Sequence, residues 1–164
     1  MAMFYRAAAA LVVAMLLSGP TAAQSPTQRP TLALEGKVKQ PRHWTLDDLK
    51  KLPAQHADVT YQTDRGPVTA SFAGVLLWSL IEAAGGLDDA GEKGAVVRHA
   101  IRITAKDGWV VVTSTGEIAP DFGDKGTLVA YERDGKPLDD FRIVMPGDKH
   151  GARNARDVVT ISVE

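Results

Sequence analysis

Pro146-Gly147-Asp148-Lys149-His150-Gly151-Ala152-Arg153-Asn154-Ala155-Arg156 separates two apolar runs, Phe141–Met145 and Val158–Val163. Both runs have strand length and apolar, β-branched content, so the segment reads as strand, loop, strand. Pro146, Gly147 and Gly151 force a bend in the loop. Lys149, Arg153 and Arg156 crowd into it, with His150 among them. Exposed backbone N–H groups and guanidinium forks at a bend match the oxygens of a phosphate or another oxyanion. The competing reading is a solvated surface loop. Lys149, His150, Gly151, Arg153 and Arg156 are therefore the candidate anion-binding residues.

Working outward, the N-terminal residues do not belong to the folded domain. Met1–Arg6 carries one positive charge, Ala7–Leu17 is an unbroken apolar run, and Ser18–Ala23 ends in small residues. That order predicts a cleavable secretory signal over 1–23 and a periplasmic or secreted product. An uncleaved anchor is the alternative, but the apolar run falls well short of the roughly 20 residues that span a bilayer. Gln24–Pro30 is polar and proline-bearing and reads as a flexible leader. Residues 31–164 remain as one domain, long enough for its own core. Removing the signal takes away Arg6 and no acid, leaving 19 − 1 = 18 basic against 20 acidic residues, a net of −2. A faintly acidic domain has no broad field for nucleic acid or an acidic membrane. With no cysteine in the chain, disulfides, thiolate metal sites and cysteine nucleophiles are excluded.

The remaining pattern is a series of short elements. Thr31–Gly36 alternates as a strand, and Thr45 caps a short helix that should run to about Lys51. Val59–Thr63 and Val68–Phe72 flank the turn residues Asp64–Pro67 and form a hairpin or bent pair. Val75–Ala84 places Leu76, Leu77, Leu80, Ile81 and Ala84 on one helical stripe, with Gly85-Gly86 as the stop. Val97, His99, Ile101 and Ile103 alternate and predict a strand, followed by a turn into Trp109–Thr113. Ser114–Glu117 has capping-box spacing. Leu128–Arg133 is another strand, ended by the turn at Asp134-Gly135. The sum is an α+β domain of mixed, mainly antiparallel sheets with two or three short helices.

Chemistry is sparse elsewhere. No nucleophile elbow, metal-binding His-Glu-x-x-His or phosphate-cradling glycine loop is present. The four histidines lack metal-ligand spacing. His99 reads as a hydrogen-bonded core residue, and His43 and His56 as surface. Asp107 and Asp134 precede glycines and read as turn formers, Glu117 as a capping residue, and Trp78 as core.

Four stretches taken together resemble a known family. Phe72-Ala73-Gly74-Val75-Leu76-Leu77-Trp78-Ser79-Leu80-Ile81-Glu82-Ala83-Ala84-Gly85, Ala105-Lys106-Asp107-Gly108-Trp109, Leu128–Leu138, and Arg142–Gly147 followed by Gly151–Arg156 are similar, in that order, to motifs of the sulfite oxidase-type molybdopterin-binding domain. The resemblance covers Thr31–Glu164 and implies the mixed α+β fold of that family. It also implies that Arg153 and Arg156 grip the phosphate of a pterin cofactor, with Arg156 standing where lysine is usual. Two features depart from the family pattern. Thr63 occupies the position of the cysteine that holds molybdenum, and a neutral hydroxyl is a poor substitute for a soft thiolate. Met1–Arg6 has no twin arginine, which an enzyme exported with its cofactor in place would need. Neither the family's dimerisation domain nor its haem module is matched.

These readings lead to an expected exported, sulfite oxidase-like domain without metal, binding a small anionic ligand or a redox-protein partner through its Gly-x-Arg-x-x-Arg loop. No cofactor is expected, and molybdopterin enters by family resemblance only. The alternative is a minimal molybdopterin-dependent oxidoreductase that transfers oxygen atoms, with Asp64 or another oxygen donor at the metal. A third reading is an accessory subunit docked on a redox enzyme.

Overall fold

The alternation of Leu32 and Leu34 with exposed neighbours builds β1 (Thr31–Gly36), which turns back through β2 (Arg42–Thr45). The computed structural model describes residues 30–164; the predicted signal and nearly all of the leader lie outside the described residues. Thr45 closes a reciprocal capping box with Asp48, and the helix it starts, α1, is a single turn, Leu46–Leu49. β3 (Ala54–Thr63) and β4 (Gly66–Leu76) form the long hairpin expected from Asp64-Arg65-Gly66-Pro67. They are followed by α2 (Leu77–Ala83), α3 (Ala95–Arg98), β5 (Ala100–Ala105), β6 (Val110–Ser114), α4 (Thr115–Ile118), β7 (Leu128–Arg133), β8 (Lys136–Val144) and β9 (Val158–Val163).

Two sheets result. One has the order β2-β1-β9-β5-β6, in which only β1 and β9 run parallel; the other, β3-β4-β7-β8, is antiparallel throughout. The main core joins Leu32, Leu34, Ile101, Ile103, Ile161 and Val163 of the first sheet to Val75, Val129 and Ile143 of the second, with Leu77, Leu80 and Ile81 of α2. Strand alternation sends Val59, Tyr61, Phe72, Leu128, Ala130 and Val144 to a smaller cluster on the opposite face of the second sheet. The class is α+β, with four short helices among the described residues where two or three were expected.

Two boundaries differ from the sequence reading. The predicted helix over Val75–Ala84 begins two residues later, because Val75 and Leu76 pair with Val129 and Leu128 in the sheet and Leu77 N–H bonds to Thr127 O at 2.8 Å. Gly74 makes that pairing possible: a Cβ there would lie 2.2 Å from Val129 O, beside the bulge in β4. The predicted strand over Val97–Ile103 is helical at Ala95–Arg98 and joins the sheet only from Ala100 onward. Val97 lies over Gly116 of α4 instead of joining a sheet. Strand geometry starts where Ala100 finds Ser114 across the ladder.

Candidate anion-binding crevice

The loop between β8 and β9 is stitched to the domain on three sides. Ile143 N–H bonds to Ala155 O at 2.9 Å, and Met145 N–H to Asn154 Oδ1 at 2.7 Å, holding the loop against β8. Gln62 N–H reaches Lys149 O at 2.8 Å, joining it to the end of β3. Trp109 Nε1 donates to Ala152 O at 3.2 Å, joining it to the β5–β6 turn. A Cβ on Gly151 would lie 2.6 Å from the Tyr61 ring, so only glycine lets the loop sit this close to β3.

These contacts enclose a crevice of about 700 Å³. One wall is the end of the β3–β4 hairpin with Tyr61, Thr63, Asp64 and Arg65; others come from Asp107 and Trp109, from Arg133 and Arg142, and from Gly151, Asn154, Arg156 and Asp157. Four arginines thus face three aspartates. Arg133 pairs with Asp134 at 3.1 Å. Arg65, Arg142 and Arg156 form no ion pair with another described residue.

Arg142 is the crevice arginine most enclosed by apolar neighbours of its own strand. Its side chain leaves β8 between the buried Phe141 and Ile143, lies 5.3 Å from the centroid of Phe72, and donates from Nη2 to Tyr61 OH at 3.2 Å. Its Nε is buried with no partner. Burial holds the guanidinium below its usual arginine value, because the loss of water, with the like charges of Arg133 and Arg156, outweighs the favourable charge of Asp157. Asn154 adds a second orphan. It is 5% exposed, spends Oδ1 on Met145, and leaves Nδ2 unpartnered. Both orphans are donors, and a wall with spare buried donors calls for an acceptor such as an oxyanion.

The structure divides the residues expected to bind an anion. Arg156 and Gly151 line the crevice, with Thr63. Arg153, Lys149 and His150 do not. The Arg153 guanidinium grips Asp148 through Nε at 2.8 Å and Nη2 at 2.7 Å, and reaches Glu117 at 3.2 Å. Lys125 completes the network, 2.9 Å from Asp148 and 3.2 Å from Glu117. Burial alone would raise both carboxyls. Hydrogen bonds from Arg153 and Lys125 to Asp148, and from Thr113, Lys125 and Arg153 to Glu117, outweigh it and hold both below their usual values. Glu117 is therefore more than the capping residue expected; Ser114 caps α4 while the Glu117 carboxylate faces the cations. Lys149 and His150 are exposed, and His150 forms a parallel bridge with Gln62. His99 is the buried, hydrogen-bonded histidine foreseen, between Glu164 O and Asp89.

Sequence reasoning gave no site role to Arg142, Arg65, Arg133, Asn154 or Trp109. Arg142 had a visible signal, a charge flanked by two core residues on a strand leading into the loop.

The family model described as the oxidoreductase molybdopterin binding domain matches residues 19–164. The chain belongs to this family. Among solved structures, the sulfane dehydrogenase SoxCD from Paracoccus pantotrophus matches with a TM-score of 0.65 at 16% identity, over 82% of this chain and 38% of that one. At that identity the likeness carries the fold, and the chain spans well under half of the matched protein. No curated protein sequence matches.

Against the cofactor for which the family is described, the crevice fits in one half only. Arg156, Arg142 and Arg65 suit its phosphate, and the orphan donors of Arg142 and Asn154 suit oxyanion acceptors. The metal half lacks a thiolate, with Thr63 at the position the resemblance gives to it. The Thr63 hydroxyl donates to Gly66 O at 2.8 Å and accepts from Arg65 N–H at 3.2 Å, closing the hairpin turn. Among the described residues, no group of three His, Asp or Glu side chains is arranged to hold a metal ion.

Proposed function

We propose that this molybdopterin-binding-family domain binds a small anionic ligand in the arginine-lined crevice without molybdenum chemistry, and that it works outside the cytoplasm. The observation that carries the reading is Arg142: a half-buried cation with a buried, partnerless Nε and no ion pair to a described residue, facing a cavity. An anion arriving there replaces the water the guanidinium has lost. Thr63 in place of the thiolate ligand supports the metal-free part, and the charged, apolar, small-residue order of residues 1–23 supports export.

The test is calorimetric titration of the full mature chain with inorganic phosphate and with sulfite, beside the Arg156→Ala variant. Binding that falls at least tenfold in the variant is the expected result. Unchanged affinity counts against the crevice, and stoichiometric molybdenum in protein purified from its native host ends the metal-free reading.

One observation favours an oxidoreductase instead: the Asp64 carboxylate also lines the crevice, next to Thr63. That reading requires oxygen-atom transfer activity that disappears on Asp64→Ala.

A further inference from the structure

His99 sits where α3 hands over to β5, and its backbone is pinned there. The His99 carbonyl accepts from Thr115 N–H at 3.0 Å and from the Thr115 hydroxyl at 3.2 Å. The side chain is only 8% exposed. Nδ1 lies 3.0 Å from Glu164 O, and Nε2 lies 3.1 and 3.0 Å from the two carboxylate oxygens of Asp89. Both partners are acceptors. A carbonyl oxygen has no proton to give. Burial would raise the Asp89 carboxyl, but hydrogen bonds from Arg98 and His99 outweigh it and hold Asp89 below the usual carboxylate range, so it is ionised. A neutral imidazole offers one N–H and one bare nitrogen and can satisfy only one of the two. The geometry therefore requires a proton on each ring nitrogen.

The surrounding charges are all accounted for. Arg98 of α3 donates to Asp89 Oδ2 from Nε at 3.2 Å and Nη2 at 2.7 Å, and also pairs with Glu92. Arg102 of β5 donates to the Glu164 carboxylate at 2.6 Å. Asp88 turns away to Lys37, 3.7 Å distant. None of these residues lines the arginine crevice. The ring bridges the α2–α3 loop, which carries Asp89, and Glu164, which follows β9.

We infer that His99 is a proton-operated clasp: doubly protonated, it ties the Asp89 loop to the end of β9, and on losing a proton it releases Glu164. The carboxylate is the stronger acceptor, so the one remaining N–H stays on Asp89 at Nε2. A bare Nδ1 then faces Glu164 O, lone pair against lone pair. Glu164 keeps its N–H bond to Ala100 O at 2.8 Å and its pair with Arg102, so the end of β9 loosens without detaching. The contribution of the clasp is present where the ring is charged and fades as pH rises through the histidine range.

Imidazole nitrogen–proton NMR spectra of the full mature chain read the clasp directly. Both His99 nitrogens should carry protons at about pH 5.5, and Nε2 alone at about pH 8, with the Glu164 amide signal moving in step. Melting temperature is the second readout. Between the same pH values the parent should lose about 2–4 °C relative to His99→Gln, whose amide does not titrate, as expected for one buried hydrogen bond. His43, His56 and His150 are exposed and common to both proteins, so their effects cancel. A bare ring nitrogen at the acid end, or a ring unchanged between the two conditions, overturns the inference. So do melting temperatures that differ by the same amount at every pH, the mark of a histidine that only packs.

Discussion

Arg153 binds Asp148 side-on, with two hydrogen bonds of 2.8 and 2.7 Å between one guanidinium edge and both carboxylate oxygens. The two residues lie in the same loop, and Glu117 and Lys125 tie the pair to the α4 region. Arg153 is therefore a brace for the loop. Arg153→Ala should cost about 1–2 kcal/mol, between the values for exposed and buried pairs, with Asp148 left short of a partner. Urea denaturation measures this, and a loss below about 0.3 kcal/mol would contradict the brace.

Acid should loosen the same brace. The folded-state pKa values of Asp148 and Glu117 are depressed, so their contribution is present above the ordinary carboxylate values near pH 4 and fades as pH falls through the lower folded values. Stability should be level from about pH 8 to 5 with respect to these two groups and drop below about pH 4. Arg153→Ala should show a shallower drop. An identical pH profile for the variant and the parent would remove the network from the account.

Arg142 is expected to behave in the opposite way from Arg153. Replacing it by methionine removes a half-buried, unpaired charge and keeps most of the stem volume, so Arg142→Met should be neutral or stabilising by about 1 kcal/mol. Phosphate binding should fall at least tenfold in the same variant. Thermal melting with and without phosphate checks both halves, and a clear destabilisation without ligand would show that Arg142 has a structural task.

Gly151→Ala tests the stitching of the loop to β3. The added Cβ meets the Tyr61 ring at 2.6 Å, so the ring or the loop must move, at about 1–3 kcal/mol. Since Tyr61 accepts the hydrogen bond from Arg142, the crevice should also lose affinity. Parent-like stability and binding would mean that this contact yields easily.

Alternation was enough to read Thr31–Gly36, and apolar, β-branched content Val158–Val163; these predicted spans and that of Leu128–Arg133 match the observed strands. Periodicity misled at Val97, where an apolar residue at strand spacing packs on Gly116 in a helical turn. It also misled at Val75 and Leu76, where pairing with β7 overrides a good helical stripe. The loop, with Gly151 and Arg156, was legible because bends and charges are local signals, whereas Thr63 stood out only through the resemblance to the family's motif. Arg142 was not legible, because its meaning comes from Tyr61, 81 positions away, and from the lack of an ion pair to a described residue. Nor could spacing reveal that Arg153 and Arg156, three residues apart, serve a brace and a cavity respectively.

The position of β9 between β1 and β5 sets a timetable. The hairpins β1–β2 and β5–β6 can each close while synthesis continues, yet they meet only through β9. Until β9 is made, the five-stranded layer is two unjoined hairpins. Completion of the five-stranded layer thus waits on the last strand, whereas β3-β4-β7-β8 can form without it.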